Sequence, residues 1–192
     1  MRSGIKNEIN TMIDAAINEN VIYEDYGKLF LDGFIDSWPR EASRGVIQFP
    51  DGDILIFVKE RIGQYKLPGG GKEHNETPEQ TFVREVYEET GYKVKNIRKI
   101  GVTRDQTQTS HIFTAEPYGE AQEIHPDEDE MRFGAKCLKM KPADALKNME
   151  NFINERKYNS DKTSLLQCYF TFRDYKILEY FLNHRLYYSY NE

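Results

Sequence analysis

The sequence predicts a mixed α/β fold, and three observations carry that expectation. Short β-rich stretches and one sharply bounded amphipathic helix alternate between about Arg44 and Lys141. A glycine-rich loop separates the first strands from that helix. Two longer helical patterns follow Pro142. The chain has 192 residues, enough for one domain with an appendage and for a core that needs no disulfide or structural metal. Its 39% hydrophobic content is modest, but 13% aromatic residues add large buried areas.

Each element has a local reason. Val46–Phe49 and Ile54–Lys59 are strand-like and flank Pro50-Asp51-Gly52-Asp53, a turn signal. Leu67-Pro68-Gly69-Gly70-Gly71 reads as a loop. Thr77-Pro78-Glu79-Gln80 is a capping box with proline at the first helical position, and Gly91 suits a left-handed terminator, which predicts a helix over Pro78–Thr90. Strands are expected at Tyr92–Thr103, Ser110–Ala115 and Phe133–Lys139, with an acidic loop, Glu116–Glu130, between the last two. Pro142 opens a helix with Ala145, Leu146, Met149, Phe152 and Ile153 as its apolar stripe. Asp161 is a candidate cap for a second helix, from about Lys162 to Arg185, which is apolar around much of its circumference and so suits the domain's core or a partner subunit. Before residue 44, Ile5, Ile9, Met12, Ile13, Ala16 and Ile17 recur at helical spacing, while Tyr23 to Trp38 reads as irregular. The expected organisation is an extension over 1–43, a domain over 44–157 and a C-terminal helix over 158–192.

Composition excludes several functions. A net charge of −6 makes the chain a poor ligand for duplex DNA or an anionic membrane. The longest wholly apolar run, Ile54–Val58, is far too short to span a bilayer. The first ten residues lack the apolar stretch of a secretory signal, and Cys137 and Cys168 have no metal-binding spacing. The expectation is a cytoplasmic protein. Lys66 and Glu73 break a phosphate-loop reading of Gly69–Lys72.

The predicted helix places Glu85, Glu88 and Glu89 within an arc of about 100°, at 100° per residue. Phe82 and Val86 are expected to point elsewhere, toward a core. Such like charges near a helix C-terminus repel one another, and Arg84 is the one cation among them. A hard divalent cation reverses the sign of the problem, because Mg²⁺ takes carboxylates, water and phosphate oxygens together. A solvated acidic face is the alternative reading of the helix taken alone.

At these residues the sequence resembles the Nudix hydrolase family. The family's box, GX5EX7REUXEEXGU with U apolar, is met by Gly70, Glu76, Arg84, Glu85, Val86, Glu88, Glu89 and Gly91, with Tyr92 a slightly polar choice at the last position. A chance match of seven fixed residues has a probability on the order of 10⁻⁹ per start position. The resemblance implies an α/β/α sandwich around a mixed sheet, with helical extensions at both ends. It implies hydrolysis of a diphosphate bond in a nucleoside diphosphate linked to another group, with Mg²⁺ or Mn²⁺ as cofactor. Glu85, Glu88, Glu89 and the Gly70 carbonyl would ligate the metal, Arg84 would orient a carboxylate, and Glu76 would brace the loop. Glu85 and Glu89 are candidate catalytic groups, and either Glu128 or Glu130 is a candidate base from the acidic stretch. Lys59, Arg61, Arg104 and His111 are weaker candidates for substrate contact.

The resemblance leaves the substrate open among ADP-ribose-like sugars, oxidised or ordinary deoxynucleoside triphosphates, dinucleoside polyphosphates and nucleotide sugars. The proline that many ADP-ribose hydrolases of the family place about sixteen residues after the box is replaced by Thr107. A silent nucleotide-binding module of the same fold is the alternative function, and a homodimer through the terminal helices is the expected assembly.

Overall fold

The computed structural model describes residues 20–25, 40–105, 108–157 and 161–184. The isoleucine helix expected near the N-terminus lies outside them, as does most of the Tyr23–Trp38 stretch. The chain forms β1 (Val21–Asp25), β2 (Arg40–Ile47), β3 (Ile54–Lys59), β4 (Gln64–Lys66) and β5 (Gly69–Gly71) before the first helix, α1 (Pro78–Thr90). β6 (Lys93–Asp105), β7 (Gln108–Tyr118), α2 (Glu128–Arg132), β8 (Ala135–Met140), α3 (Pro142–Arg156) and α4 (Lys162–Asn183) follow.

The strands form two sheets. One is mixed, in the order β1-β6-β7-β2-β5, with β1/β6 and β2/β7 parallel. The other is antiparallel, in the order β4-β3-β8. Both are sandwiched between helices because their buried strands present apolar residues on both faces. On β3, Ile54, Ile56 and Val58 join Met149, Ile177, Leu178 and Phe181 of α3 and α4 in one core. Leu55, between them, joins Phe82 and Val86 of α1 in a second core. Adjacent residues on β2 and β7 divide in the same way: Val46 and Ile112 face α3 and α4, while Ile47 and Phe113 face α1. The Phe82 and Phe113 rings stack with centroids 5.0 Å apart. The result is the expected α/β/α sandwich.

Several elements depart from the sequence reading. The Pro50–Asp53 turn forms, with Phe49 N–H donating to the Asp53 carbonyl at 2.8 Å, but the flanking strands stay together for one bridge only, Gln48 with Ile54. They then diverge because β2 is flanked by β7 and β5, and β3 by β4 and β8. β2 begins at Arg40, six residues earlier than its hydrophobic run, and so crosses the expected boundary at 43/44. The glycines of the predicted loop form β5 against Ala42–Arg44. The acidic stretch is not one loop: its start belongs to β7, and its end folds as α2, capped by Asp127 through the Glu130 N–H. Tyr23–Asp25, the start of the stretch expected to be irregular, belongs to β1 and pairs with β6.

α4 is capped by Asp161, whose carboxylate accepts from the Ser164 N–H at 2.8 Å. Of the two destinations open to its apolar faces, Ile177, Leu178 and Phe181 take the domain's own core. Among the described residues no helix is long and apolar enough to cross a membrane.

Candidate active site

α1 is fixed at both ends as its sequence demands. Thr77 Oγ1 accepts from the Gln80 N–H at 3.2 Å, and the Gln80 side chain accepts from the Thr77 N–H at 2.8 Å, closing the capping box. Gly91 ends the helix at φ 72°, a left-handed conformation that glycine adopts without cost. A cap of this kind is worth about 1 kcal/mol, and here it also sets which glutamates face inward.

The three box glutamates are not equivalent. Glu89 is 3% exposed and belongs to the buried stripe with Phe82 and Val86, contrary to the expectation that those side chains point away from the carboxylates. At 100° per residue Glu89 lies only about 20° from Phe82 around the helix. Its Oε2 accepts from the Gly69 N–H at 2.6 Å, and its Oε1 lies 3.8 Å from Lys66 Nζ. Burial outweighs the Lys66 charge and pushes its carboxyl up to about 8. Glu85 is also raised from the usual carboxylate range, mainly by burial, against the pull of Arg84. Glu88 is the most exposed of the three.

Arg84 ties the glycine loop to the helix. Its Nε and Nη2 donate to the two Glu76 oxygens at 2.7 and 3.0 Å, and Nη2 also donates to the Gly71 carbonyl. Its Nη1 bridges Glu85 Oε1 at 2.8 Å and Glu88 Oε2 at 2.9 Å. The hydrogen bond from Arg84 holds the Glu76 carboxyl down at about 2. Glu76 further accepts from Thr81 and from the Glu73 N–H, so it braces the loop against the helix.

Gly70 of β5 lies against Glu85. A Cβ at this position would collide with the Glu85 carboxylate, so only glycine lets the backbone and that carboxylate share the space. Gly70→Ala should displace Glu85 and lower kcat on any substrate by about 10-fold or more, the effect of misplacing a reacting group by about 1 Å. Steady-state kinetics beside a melting curve would check this.

One cavity of about 460 Å³ gathers these groups: Gly70, Arg84, Glu85, Glu88 and Glu89 line it, and Glu130 reaches it from α2. Glu128 does not line it. Glu130 Oε1 lies 3.6 Å from Lys59 Nζ and 4.0 Å from Lys66 Nζ, so Glu130 and Glu89 share the Lys66 charge. None of the four weaker substrate candidates lines the cavity. Lys59 comes nearest, through Glu130. Arg61 turns to the Arg132 carbonyl at 2.7 Å. His111 lies 3.6 Å from Glu41, and Arg104 pairs with Thr109 across β6 and β7.

Sequence reasoning missed the other side of the cavity, which Arg40, Arg44, Lys66, Gln108, Phe170 and Arg173 line. One signal was present: an adjacent Arg173-Asp174 pair inside a helix otherwise rich in apolar residues implies a buried ion pair. Arg40 and Arg44 were illegible because the strand that carries them was read as starting at Val46.

The donor types suit a hard divalent cation: three carboxylates within one turn and a half of helix, with the Gly70 backbone against one of them, Glu85. Among the described residues no three acidic, His or Cys side chains converge in a ready-made metal geometry, and Arg84 Nη1 spans Glu85 and Glu88 instead.

The NUDIX domain family model matches residues 39–158. The chain belongs to the Nudix family. It is 38% identical over 94 residues to a MutT-like protein of Streptomyces ambofaciens, covering 43% of this chain and 61% of that one. It is 36% identical over 104 residues to diphosphoinositol polyphosphate phosphohydrolase 2 of Mus musculus, covering 52% and 56%. These matches span less than two thirds of either relative's length. A solved MutT structure, from work on Aliivibrio salmonicida and Vibrio cholerae, is 24% identical with a TM-score of 0.43, covering 57% of this chain and 85% of that one. The Nudix box is the segment that forms β5, the loop after it and α1.

Proposed function

We propose that this Nudix protein hydrolyses a diphosphate bond in a nucleoside diphosphate linked to another group, with Mg²⁺ or Mn²⁺ as cofactor. The observation that carries the reading is the gathering of Gly70, Glu85, Glu88, Glu89 and Glu130 around one cavity. Nudix hydrolases generally use divalent metals, and Glu85, Glu88, Glu89 and the Gly70 carbonyl would hold the ion here. When bound, the ion would neutralise phosphate charge and acidify a water.

The chain's own groups supply the rest. Arg84, locked by Glu76, keeps Glu85 and Glu88 at fixed positions and is itself pushed further toward its charged form, chiefly by Glu76. Glu89, seated on the Gly69 N–H, holds the helix and the glycine loop at a set spacing. Glu130, between Lys59 and Lys66, would take a proton from the attacking water. Glu130→Gln should lower kcat by about 10²-fold with a smaller change in KM. Unchanged turnover would remove Glu130 from the mechanism.

A turnover panel tests the proposal as a whole. The purified chain would be incubated with each nucleotide class, with Mg²⁺, with Mn²⁺ and with chelator, and the products separated by chromatography. Metal-dependent release of a monophosphate from one class supports it, and binding without cleavage anywhere overturns it. The two thiols are unpaired, which suits the reducing cytoplasm as the proposed setting. The expected dimer through terminal helices would need surfaces other than the face α4 buries in its own core.

A further inference from the structure

The family match ends at residue 158, and α4 begins at Lys162. Two α4 side chains, Phe170 and Arg173, nevertheless line the cavity that holds the glutamates. Arg40 and Arg44 line it too, from one face of β2, since residues four apart on a strand point the same way. Arg44 and Arg173 are both almost wholly buried, at 3% and 1% exposed.

One carboxylate organises this side. Asp174 Oδ1 accepts from Arg44 Nη1 at 3.3 Å and from Arg173 Nε at 3.1 Å. Its Oδ2 accepts from the Leu67 N–H at 3.1 Å, at the head of the glycine loop. Asp105 lies 3.8 Å from Arg173 Nη1, and the Arg173 guanidinium sits 5.3 Å from the centre of the Phe170 ring. Swapped so that its oxygen faces these donors, the Gln108 amide accepts from Ser110, Arg44 and Arg173. Asp174 and Asp105 hold the buried Arg44 and Arg173, while Arg40, exposed at the start of β2, lines the same side of the cavity. Guanidiniums held as firmly as those of Arg44 and Arg173 suit the oxygens of a phosphate, because little ordering remains to be done on binding.

We infer that Arg40, Arg44 and Arg173 form a subsite for a phosphate of the substrate beyond the diphosphate that is cleaved. The chain then favours nucleotides carrying a third phosphate over nucleoside diphosphates joined to a neutral sugar. This deepens the diphosphohydrolase proposal and rests on it. It makes α4 part of the substrate site.

The test is calorimetric titration of the full chain in Mg²⁺ with two ligands that resist cleavage: an imido-linked nucleoside triphosphate and a methylene-linked ADP-ribose. The wild-type chain should bind the triphosphate more tightly. Arg40→Gln and Arg173→Gln should each weaken the triphosphate by about 10-fold and the ADP-ribose analogue by less than about 2-fold, the size of one charge-assisted hydrogen bond. Arg40 is exposed on its strand, so Arg40→Gln carries the test even if Arg173→Gln fails to fold. Equal weakening of both ligands, no weakening, or no triphosphate preference in the wild type overturns the subsite. Selective weakening in a chain that cleaves no nucleotide would overturn the hydrolase proposal and leave the subsite standing, while cleavage without that selectivity would do the reverse.

Discussion

Glu85→Gln should lower metal-dependent turnover by on the order of 10²–10³-fold, a loss of about 3–4 kcal/mol of transition-state stabilisation. The side chain sits where three features meet: the Gly70 backbone that only glycine allows, the Arg84 Nη1 bridge, and the inner wall of the cavity. The amide is nearly isosteric, so it fits the same space and removes the charge that would hold a divalent cation. Arg84 keeps its two bonds to Glu76, so the loop brace survives and the melting temperature should change little. Rapid-quench or chromatographic assays beside a thermal melt give both readouts. A variant with full activity would place the metal, and the chemistry, elsewhere in the cavity.

The second large effect concerns Glu89 and pH. Its folded-state carboxyl is held near 8 by burial, while in the unfolded chain it titrates in the ordinary glutamate range of about 4.3. Between these values the folded state holds a proton that the unfolded state has lost. Stability from this group is therefore full below the unfolded value and falls as pH rises toward the folded one, by about 1.4 kcal/mol per pH unit at most. Without divalent cation, the wild-type melting temperature should drop between pH 5 and 8 more steeply than that of Glu89→Gln, whose amide is neutral throughout. Adding Mg²⁺ at pH 8 should restore the wild type and leave the variant almost unmoved, because the cation supplies the charge that the buried carboxylate lacks. Parallel melts of the two proteins across that range would fail to separate if Glu89 were already balanced by Lys66.

The box helix was the most legible part of the molecule because its signals are local. Thr77, Pro78, Gln80 and Gly91 specify its ends through backbone bonds that need no distant partner. The glutamates followed from it, yet the inward tilt of Glu89 did not, although the angle between Phe82 and Glu89 was available from the helical period alone. Elements whose form depends on partners were hardest to read. The glycines of β5 have no side chains to show strand character, and pair only because Ala42–Arg44 lie beside them. Arg40 and Arg44 are polar residues on a buried strand, a pattern that sequence periodicity scores as loop. Arg173 and the adjacent Asp174 become meaningful only once Asp105 and Gln108 arrive beside them from the ends of β6 and β7.

The alternation along β3 has a consequence for how the molecule comes apart. Because consecutive β3 residues belong to two different cores, neither helical layer can be peeled away without stripping one side of the same strand. The glutamates ride on one layer and Phe170 and Arg173 on the other, so the two halves of the cavity share a single party wall. A cation gripped by α1 should then be felt as slower amide exchange in α4, although the carboxylates that would hold it lie in the other layer.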